Sequence, residues 1–179
     1  MRGPELGSYL ADLYRAGREH DAGKADRLER LRNVEPDTAR LMALLVRAVR
    51  ARDVLEIGTS NGYSTVWLAE AVGETGGRVV SVEIDPARTE LARESLRGAG
   101  VEERVELRAE DAAITLGNSP DASFDFIFLD AERPAYVSYW PDLVRVLRPA
   151  GLLLVDNVIS HADEMGEFRA LVEADERVT

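Results

Sequence analysis

The sequence has no cysteine, only one lysine (Lys24) and no long apolar run. Without cysteine, disulfide bonds, thiolate metal sites and a cysteine nucleophile are excluded. Without a run of about 18 apolar residues or an apolar core near the N-terminus, neither a membrane span nor a secretion signal is indicated. We therefore expect a cytoplasmic protein with no membrane partner, in which any metal is held by oxygen atoms or by His20 and His161.

The charge balance is strongly acidic, with a net charge of −11 over 179 residues. This balance argues against nucleic-acid binding by bulk electrostatics, because a phosphate backbone attracts basic surfaces. A helix predicted from Pro36 onward nevertheless carries Arg40, Arg47 and Arg50 away from its apolar stripe. No nucleic-acid partner is expected from the composition as a whole.

Strand and helix patterns alternate along most of the chain. Short apolar runs predict five strands, near residues 54–57, 78–83, 104–107, 124–129 and 151–155. The alternation predicts an α/β fold with a doubly wound, mostly parallel sheet. We expect one domain over residues 1–179, in which a helical cap (1–35) precedes the core (36–179). Gly17 and the segment 21–23 predict breaks within the cap.

The segment 54–64, VLEIGTSNGYS, predicts a strand, a tight turn and a helix. Such a unit offers backbone N–H groups and a helix N-terminus to a nucleotide cofactor. Gly58 and Gly62 do not form the G-x-G-x-x-G fingerprint of a pyrophosphate site. Glu56 would repel a phosphate but suits an ammonium or sulfonium group, as in S-adenosylmethionine (SAM). From these residues alone, a nicotinamide dehydrogenase or another doubly wound protein stays open.

Acidic and amide residues stand at the predicted strand ends, where such sheets bind ligands. Buried carboxylates need partners, and a divalent cation would serve, because carboxylate and amide oxygens are hard ligands. Asp130, Asp156 and Asn157 are the candidate set. The alternative is structural, with Asp130 as a helix cap and Asp156 at the start of a turn. The residues at the strand ends are Glu56, Gly58, Glu83, Asp111, Asp130, Asp156 and Asn157.

Four segments in order resemble the motifs of the metal-dependent SAM O-methyltransferases, the family of the caffeoyl-CoA and catechol enzymes, in its bacterial branch. They are VLEIGTSNGYSTVWLA, VVSVEIDP, FDFIFLDAERPAY and LRPAGLLLVDNV. The resemblance implies the Rossmann-like SAM-dependent methyltransferase sheet, with strand order 3-2-1-4-5-7-6. It also implies methyl transfer from SAM to a hydroxyl of an aromatic diol, a divalent cation such as Mg²⁺, and a homodimer.

The same resemblance assigns roles to particular positions. It implies that Asp130 and Arg133 are catalytic, and that Asp130, Asp156 and Asn157 hold the metal. Glu83 is implied as the ribose ligand. The implied cofactor-binding residues are Val34, Glu56, Gly58, Thr59, Ser64, Glu83, Asp111, Ala112 and Asp130.

Three features depart from the family pattern, the first being Ala39 and Arg40, which stand where the family commonly has Gly-Gln. Arg133 stands where the family usually has a catalytic lysine; a guanidinium is not deprotonated in proteins, so we expect a fixed positive charge near the acceptor oxygen. The final antiparallel strand pair has no counterpart in the sequence, which would leave strand 152–155 at a sheet edge. We expect one of two arrangements. Either residues 163–175 form a helix, with Phe168, Leu171 and Val172 as its apolar stripe, that folds back over this region while a partner chain covers the rest, or the 179 residues are a truncated version of a longer protein.

Two further functions stay open. One is a SAM-binding protein with lost or weak catalysis, and the other is a methyltransferase of a hydroxylated RNA base, for which the three arginines after Pro36 would provide a basic surface. The sequence does not identify the acceptor. Tyr136, Tyr139 and Trp140 are candidates for an aromatic pocket wall, with the core as the alternative.

Overall fold

A computed structural model describes residues 3–159 and 161–178. None of the helices in these two ranges is both long and apolar enough to cross a membrane. The helices are α1 (Pro4–Ala22), α2 (Pro36–Ala48), α3 (Tyr63–Thr75), α4 (Pro86–Ala99), α5 (Ala112–Asn118), α6 (Tyr136–Val146) and α7 (Gly166–Glu173); the strands are β1 (Asp53–Ile57), β2 (Arg78–Glu83), β3 (Val105–Ala109), β4 (Phe124–Leu129) and β5 (Leu147–Val155).

The five strands form one parallel sheet in the order β3-β2-β1-β4-β5. Alternate residues of each strand face opposite sides, so Val54 and Phe126 join a core with α1 to α4. Leu55 and Ile127 join a second core with α5 to α7. The predicted doubly wound α/β fold is confirmed, and the carboxyl ends of the strands meet at one edge of the sheet.

The first helix differs from the prediction at Gly17. The structure shows α1 continuing through Gly17 to Ala22, so the predicted break there is wrong. A Cβ atom at Gly17 would overlap the side-chain amide of Asn33, which packs against the helix at this point. The glycine therefore serves close packing, whereas the break predicted at 21–23 is confirmed by the end of α1.

The last strand lies at the edge of the sheet, as expected. Among the described residues, no strand pairs with the outer side of β5. The predicted C-terminal helix is confirmed as α7, in which Phe168 is buried and Leu171 and Val172 pack partly against the same core as Leu153 and Val155. This helix therefore covers one face of the edge strand.

Candidate active site

One cavity of about 870 Å³ opens at the carboxyl ends of the strands. Loops after all five strands contribute to it, as expected for a ligand site in a doubly wound sheet, and small-molecule sites usually measure about 300–1,000 Å³. All but one of the predicted site residues line this cavity. They are Val34, Gly58, Thr59, Ser64, Glu83, Asp111, Ala112, Asp130, Arg133, Asp156 and Asn157.

The turn between β1 and α3 requires glycine at two positions. Gly58 has a φ of 104° and Gly62 a φ of 84°, in the region that glycine adopts without a steric penalty. A Cβ atom at Gly58 would overlap the backbone carbonyl of Asp130, so the loops after β1 and β4 are in contact. The N–H groups of Gly58 and Thr59 both donate to the carbonyl oxygen of Val82, at 2.9 and 3.3 Å. The predicted tight turn is therefore confirmed. It contacts the loop after β4 on one side and is hydrogen-bonded to Val82 of β2 on the other.

Glu83 ends β2 beside this turn and is 7% exposed. Its Oε2 accepts from the backbone N–H of Ser60 at 2.8 Å, and its Oε1 accepts from that of Asp85 at 3.1 Å. Each carboxylate oxygen can accept about two hydrogen bonds. Both oxygens therefore keep acceptor capacity, and this arrangement suits the two hydroxyl groups of a ribose.

Glu56 is the predicted residue that does not line the cavity, because its side chain is fully buried. Ser64 Oγ donates to Oε1 at 2.5 Å, while Thr65 Oγ1 and Ser81 Oγ donate to Oε2 at 2.5 and 2.6 Å. Burial first, and the charge of Glu83 to a smaller extent, raise the pKa of Glu56 to about 7, although the three hydrogen bonds act in the opposite direction. Ser64, which does line the cavity, links Glu56 to it.

A further wall is formed at the start of α5. Asp111 Oδ1 accepts from the N–H of Ala113 at 2.8 Å and from the hydroxyl of Tyr139 at 3.1 Å. Burial, followed by this bond to Asp111, raises the pKa of Tyr139 to about 12. Of the three aromatic candidates, Tyr139 lines the cavity, whereas Tyr136 and Trp140 are buried in the core.

The three candidate metal ligands come together at the ends of β4 and β5. The N–H of Asp130 donates to Ile57 at 2.9 Å and that of Asp156 to Leu129 at 3.0 Å, so both residues continue the ladder of the parallel sheet. The Nδ2 of Asn157 donates to Asp130 Oδ1 at 3.1 Å. The structure thus places the amide of Asn157 beside Asp130 and brings Asp156 to the same cavity. A metal site formed by the three side chains stays a prediction.

The surroundings of Asp130 oppose its negative charge. Burial first, and repulsion by Asp156 second, raise its pKa well above the usual value, while Arg32 and Arg133 act in the opposite direction. A divalent cation would relieve this penalty, and two carboxylates with an amide oxygen fit its preference for hard ligands. Among the described residues, no group of three or more His, Asp or Glu side chains could hold a metal. A cation here therefore depends on Asn157 as well.

Arg133 is almost completely enclosed, with a side chain that is 4% exposed. Its Nε donates to Oε2 of Glu164 at 2.8 Å and its Nη2 to Oε1 at 3.1 Å. This two-point geometry is the strong form of an arginine–carboxylate pair. The sequence predicts a positive charge here but not its partner, because Glu164 lies 31 residues further along the chain and no pattern connects the two.

Comparison with known proteins identifies the fold family. A sequence profile described as O-methyltransferase matches residues 7–174. The chain belongs to the O-methyltransferase family. This confirms the family that the four sequence segments indicated.

Relatives of known name agree with this assignment. The catechol O-methyltransferase of Mycobacterium tuberculosis is 41% identical over 126 residues, which cover 70% of this chain and 57% of that protein. The O-methyltransferase of Bacillus cereus, solved in complex with SAH, superposes with a TM-score of 0.81 at 30% identity and covers 96% of this chain and 81% of that one. With 62% coverage of the Niastella koreensis catechol O-methyltransferase, the chain spans about three-fifths of the length of the curated relatives it matches.

Sequence reasoning identified only Val34 in one wall of the candidate site. Residues 23–35, which connect α1 and α2 and which we call the entrance segment, line the cavity with Arg27, Leu31 and Arg32. Nη2 of Arg27 and Nη2 of Arg32 donate to Glu132 at 2.8 and 2.6 Å. Ser60 Oγ donates to the carbonyl oxygen of Leu31 at 2.7 Å. These bonds join the entrance segment to the loops after β1 and β4.

Proposed function

We propose that this protein is a SAM-dependent O-methyltransferase that acts on a hydroxyl of a catechol-like small molecule and uses a divalent cation. The observation that carries the proposal is that the β1–α3 turn and the oxygen cluster of Asp130, Asp156 and Asn157 line one cavity. The relative named catechol O-methyltransferase and the structure solved with SAH support it. Because the chain covers only part of its relatives, the activity of the whole protein is part of this proposal.

The cofactor half of the proposal assigns each polar wall to one part of SAM. Glu83 would accept from the ribose hydroxyls, and the turn at Asp111 and Ala112 would hold the adenine. Ser64 lies near the N-terminus of α3, which favours an anion, so it would receive the carboxylate, while Asp130 would face the ammonium group. SAM supplies a methyl group on a positively charged sulfur. Further contacts with the amino-acid end are proposed for Val34, Gly58 and Thr59.

The acceptor half rests on the oxygen cluster and Arg133. Asp130, Asp156 and Asn157 would hold a divalent cation, most simply Mg²⁺. Such a cation supplies positive charge that lowers the pKa of an acceptor hydroxyl. Arg133 cannot remove a proton, and its charge is partly balanced by Glu164. Its proposed role is to add positive potential beside Asp130, where its charge partly offsets the causes that raise the pKa of that carboxyl group.

The direct test is methyl transfer by the purified chain. SAM binding is measured by isothermal titration calorimetry, and methylated products are detected by mass spectrometry over a panel of catechols and flavonoids, with Mg²⁺ and with EDTA. We expect SAM to bind under both conditions and product to form only with the cation. Cofactor binding without product from any acceptor would instead favour a SAM-binding protein with weak catalysis, for which the engagement of Arg133 by Glu164 is the supporting observation.

Two of the three arginines that suggested the RNA alternative are paired with carboxylates. Arg40 pairs with Asp37 at 2.8 Å. Arg47 pairs with Glu70 and Glu74. Because neighbouring carboxylates balance these guanidinium groups, we do not propose a nucleic-acid substrate.

A homodimer and a cytoplasmic location stay predictions. The outer side of β5 is the surface to examine first, because an unpaired strand edge invites pairing with another chain. Light scattering on the purified chain would test the oligomeric state.

A further inference from the structure

A chain of hydroxyl groups connects buried Glu56 to the cavity. Ser64 and Thr59 both line the cavity. Ser64 donates directly to Glu56, and Thr59 reaches it through Ser81, with Thr59 Oγ1 and Ser81 Oγ 2.6 Å apart. Thr65 completes the set but does not line the cavity. The protonation state of Glu56 can therefore be transmitted to two polar groups that a ligand would meet.

The direction of these bonds follows from hydrogen counting. An ionised carboxylate only accepts, and each hydroxyl has one hydrogen to give. When Glu56 is ionised, the hydroxyl groups of Ser64 and Ser81 both donate to it. Thr59 must then donate to Ser81, because the only hydrogen of the Ser81 hydroxyl is already used. The hydroxyl groups of Ser64 and Thr59 can then only accept hydrogen bonds from a ligand in the cavity. With Glu56 protonated, its own O–H can donate to Ser64, whose hydrogen becomes free to turn toward the cavity.

A ligand carboxylate beside Ser64 would bind more favourably when Glu56 is protonated than when it is ionised. Ser64 is the second residue of α3, where the positive end of the helix favours an anion. With Glu56 ionised, the Ser64 hydroxyl offers that anion no hydrogen, and a buried negative charge lies behind it. With Glu56 protonated, the repulsion disappears and Ser64 becomes a donor.

We propose that Glu56 takes up a proton from solvent when the cavity binds the amino-acid end of SAM or its product SAH, and that it acts as a positioning residue through Ser64. The inference rests on the proposed function and deepens it. In the bound state the Glu56 O–H donates to Ser64 Oγ, and the Ser64 O–H donates to the ligand carboxylate. No bond other than the O–H of Glu56 is made or broken.

The other negative charges near Glu56 also favour its protonated form. Glu83, from β2, raises the pKa of Glu56, and Asp130, at the end of β4, has its own pKa raised by Glu56. The α3 neighbours Ser64 and Thr65 contribute hydroxyl groups only. Because the pKa of Glu56 is about 7 before binding, proton uptake falls in a range that is easy to measure.

The experiment follows SAH binding by isothermal titration calorimetry in buffers of different ionisation enthalpy. SAH is the probe because its sulfur is uncharged, so the amino-acid end is tested alone. Near pH 8 we expect uptake of roughly one proton per SAH, and an affinity that falls by up to about tenfold per pH unit above pH 7. In Glu56→Gln this uptake and this slope should both be lost. Equal uptake in the parent and in Glu56→Gln would overturn the inference.

A second variant keeps the test decisive if Glu56→Gln folds poorly. Thr65→Val removes one donor from the ionised carboxylate at a position outside the cavity wall, and that bond lowers the pKa of Glu56. The fall in SAH affinity should therefore begin at a higher pH in Thr65→Val than in the parent, and an unchanged midpoint would contradict the inference. Failure of SAH to bind at any pH would overturn the proposed function as well, whereas binding without proton uptake would overturn this inference alone.

Discussion

The cofactor end of the cavity, around Ser64 and Glu83, is held by hydrogen bonds between neighbouring elements. The rim, formed by Glu132, Arg133 and Glu164, is held by ion pairs between distant ones. Glu83 accepts from backbone groups of the β1–α3 turn and of its own loop. Glu132 instead pairs with Arg27, 105 residues away, and Arg133 with Glu164, 31 residues away.

The difference matters because the two kinds of contact respond differently to solvent. The acceptors of the cofactor end are buried, so their bonds are little affected by salt. The carboxylate groups of the rim are half-exposed, with side-chain exposures of 41% for Glu132 and 53% for Glu164. Exposed ion pairs contribute about 0–1 kcal/mol and are screened by salt. We therefore expect a stable cofactor end and a rim that responds to ionic strength.

The largest effect is expected at Asp130, where the two ends meet. Asp130→Asn removes one carboxylate from the candidate metal set and should lower kcat/KM by more than about 100-fold, since even an outer-shell partner of a metal is worth about 10–100-fold. The fold should survive, because the variant replaces a buried charge with a neutral group of the same shape. Methyl transfer with saturating Mg²⁺ and thermal denaturation measure the two parts. Asp121→Asn, at a side chain that is 79% exposed, is the control; a loss below about tenfold would contradict the assigned role.

The next effect concerns stability at the cofactor end. The pKa of Glu56 is raised from 4.5 to about 7 in the folded chain, so its stabilising contribution is complete below pH 4.5 and is lost as the pH rises to about 7. At higher pH, ionised Glu56 costs up to about 3 kcal/mol. Glu56→Gln should therefore be more stable than the parent near pH 8, by about 1–3 kcal/mol, and should lack this pH dependence. Urea denaturation at pH 5 and pH 8 measures it, and a parent protein that is no less stable at pH 8 than at pH 5 would contradict it.

The two ends also differ in how well the sequence predicts them. The β1–α3 turn and Glu83 are readable because apolar periodicity, glycine spacing and strand ends are local features. Glu56 is placed beneath the cavity instead of in its wall, because α3 covers that face of β1 and brings Ser64 and Thr65 onto it. The ion pairs of the rim join segments whose separation follows no period, so only the folded arrangement reveals them.

A smaller effect is expected from the Arg133–Glu164 pair. Glu164→Gln leaves the enclosed guanidinium without its charged partner, so we expect a lower melting temperature. The loss should be smaller than for a fully buried pair, because Glu164 is half-exposed. Arg133→Lys keeps the charge but loses the two-point geometry, so its activity should stay within about tenfold of the parent. Glu167→Gln, at an exposed position of α7, is the matched control. Equal stability of the two glutamine variants would show that the pair contributes nothing.

The smallest effect is expected where the entrance segment meets Glu132. Burial raises the pKa of Glu132, but Arg32 and Arg27 outweigh it and hold the pKa below its usual value, so both pairs persist at neutral pH. Glu132→Gln should weaken them, and because each exposed pair contributes less than about 1 kcal/mol, SAH should dissociate only about two- to fivefold faster. Stopped-flow fluorescence at low and high salt measures this rate.

Salt provides the internal check on this prediction. Because screening acts on the same ion pairs, high salt should speed dissociation from the parent chain and have little further effect on Glu132→Gln. Glu29→Gln is the control, since Glu29 lies in the same entrance segment and pairs with Lys24 at 3.4 Å. If Glu29→Gln speeds dissociation as much as Glu132→Gln does, the charge of the segment matters and its attachment to the loop after β4 does not. The contrast between a hydrogen-bonded cofactor end and an ion-paired rim would then have no consequence for cofactor exchange.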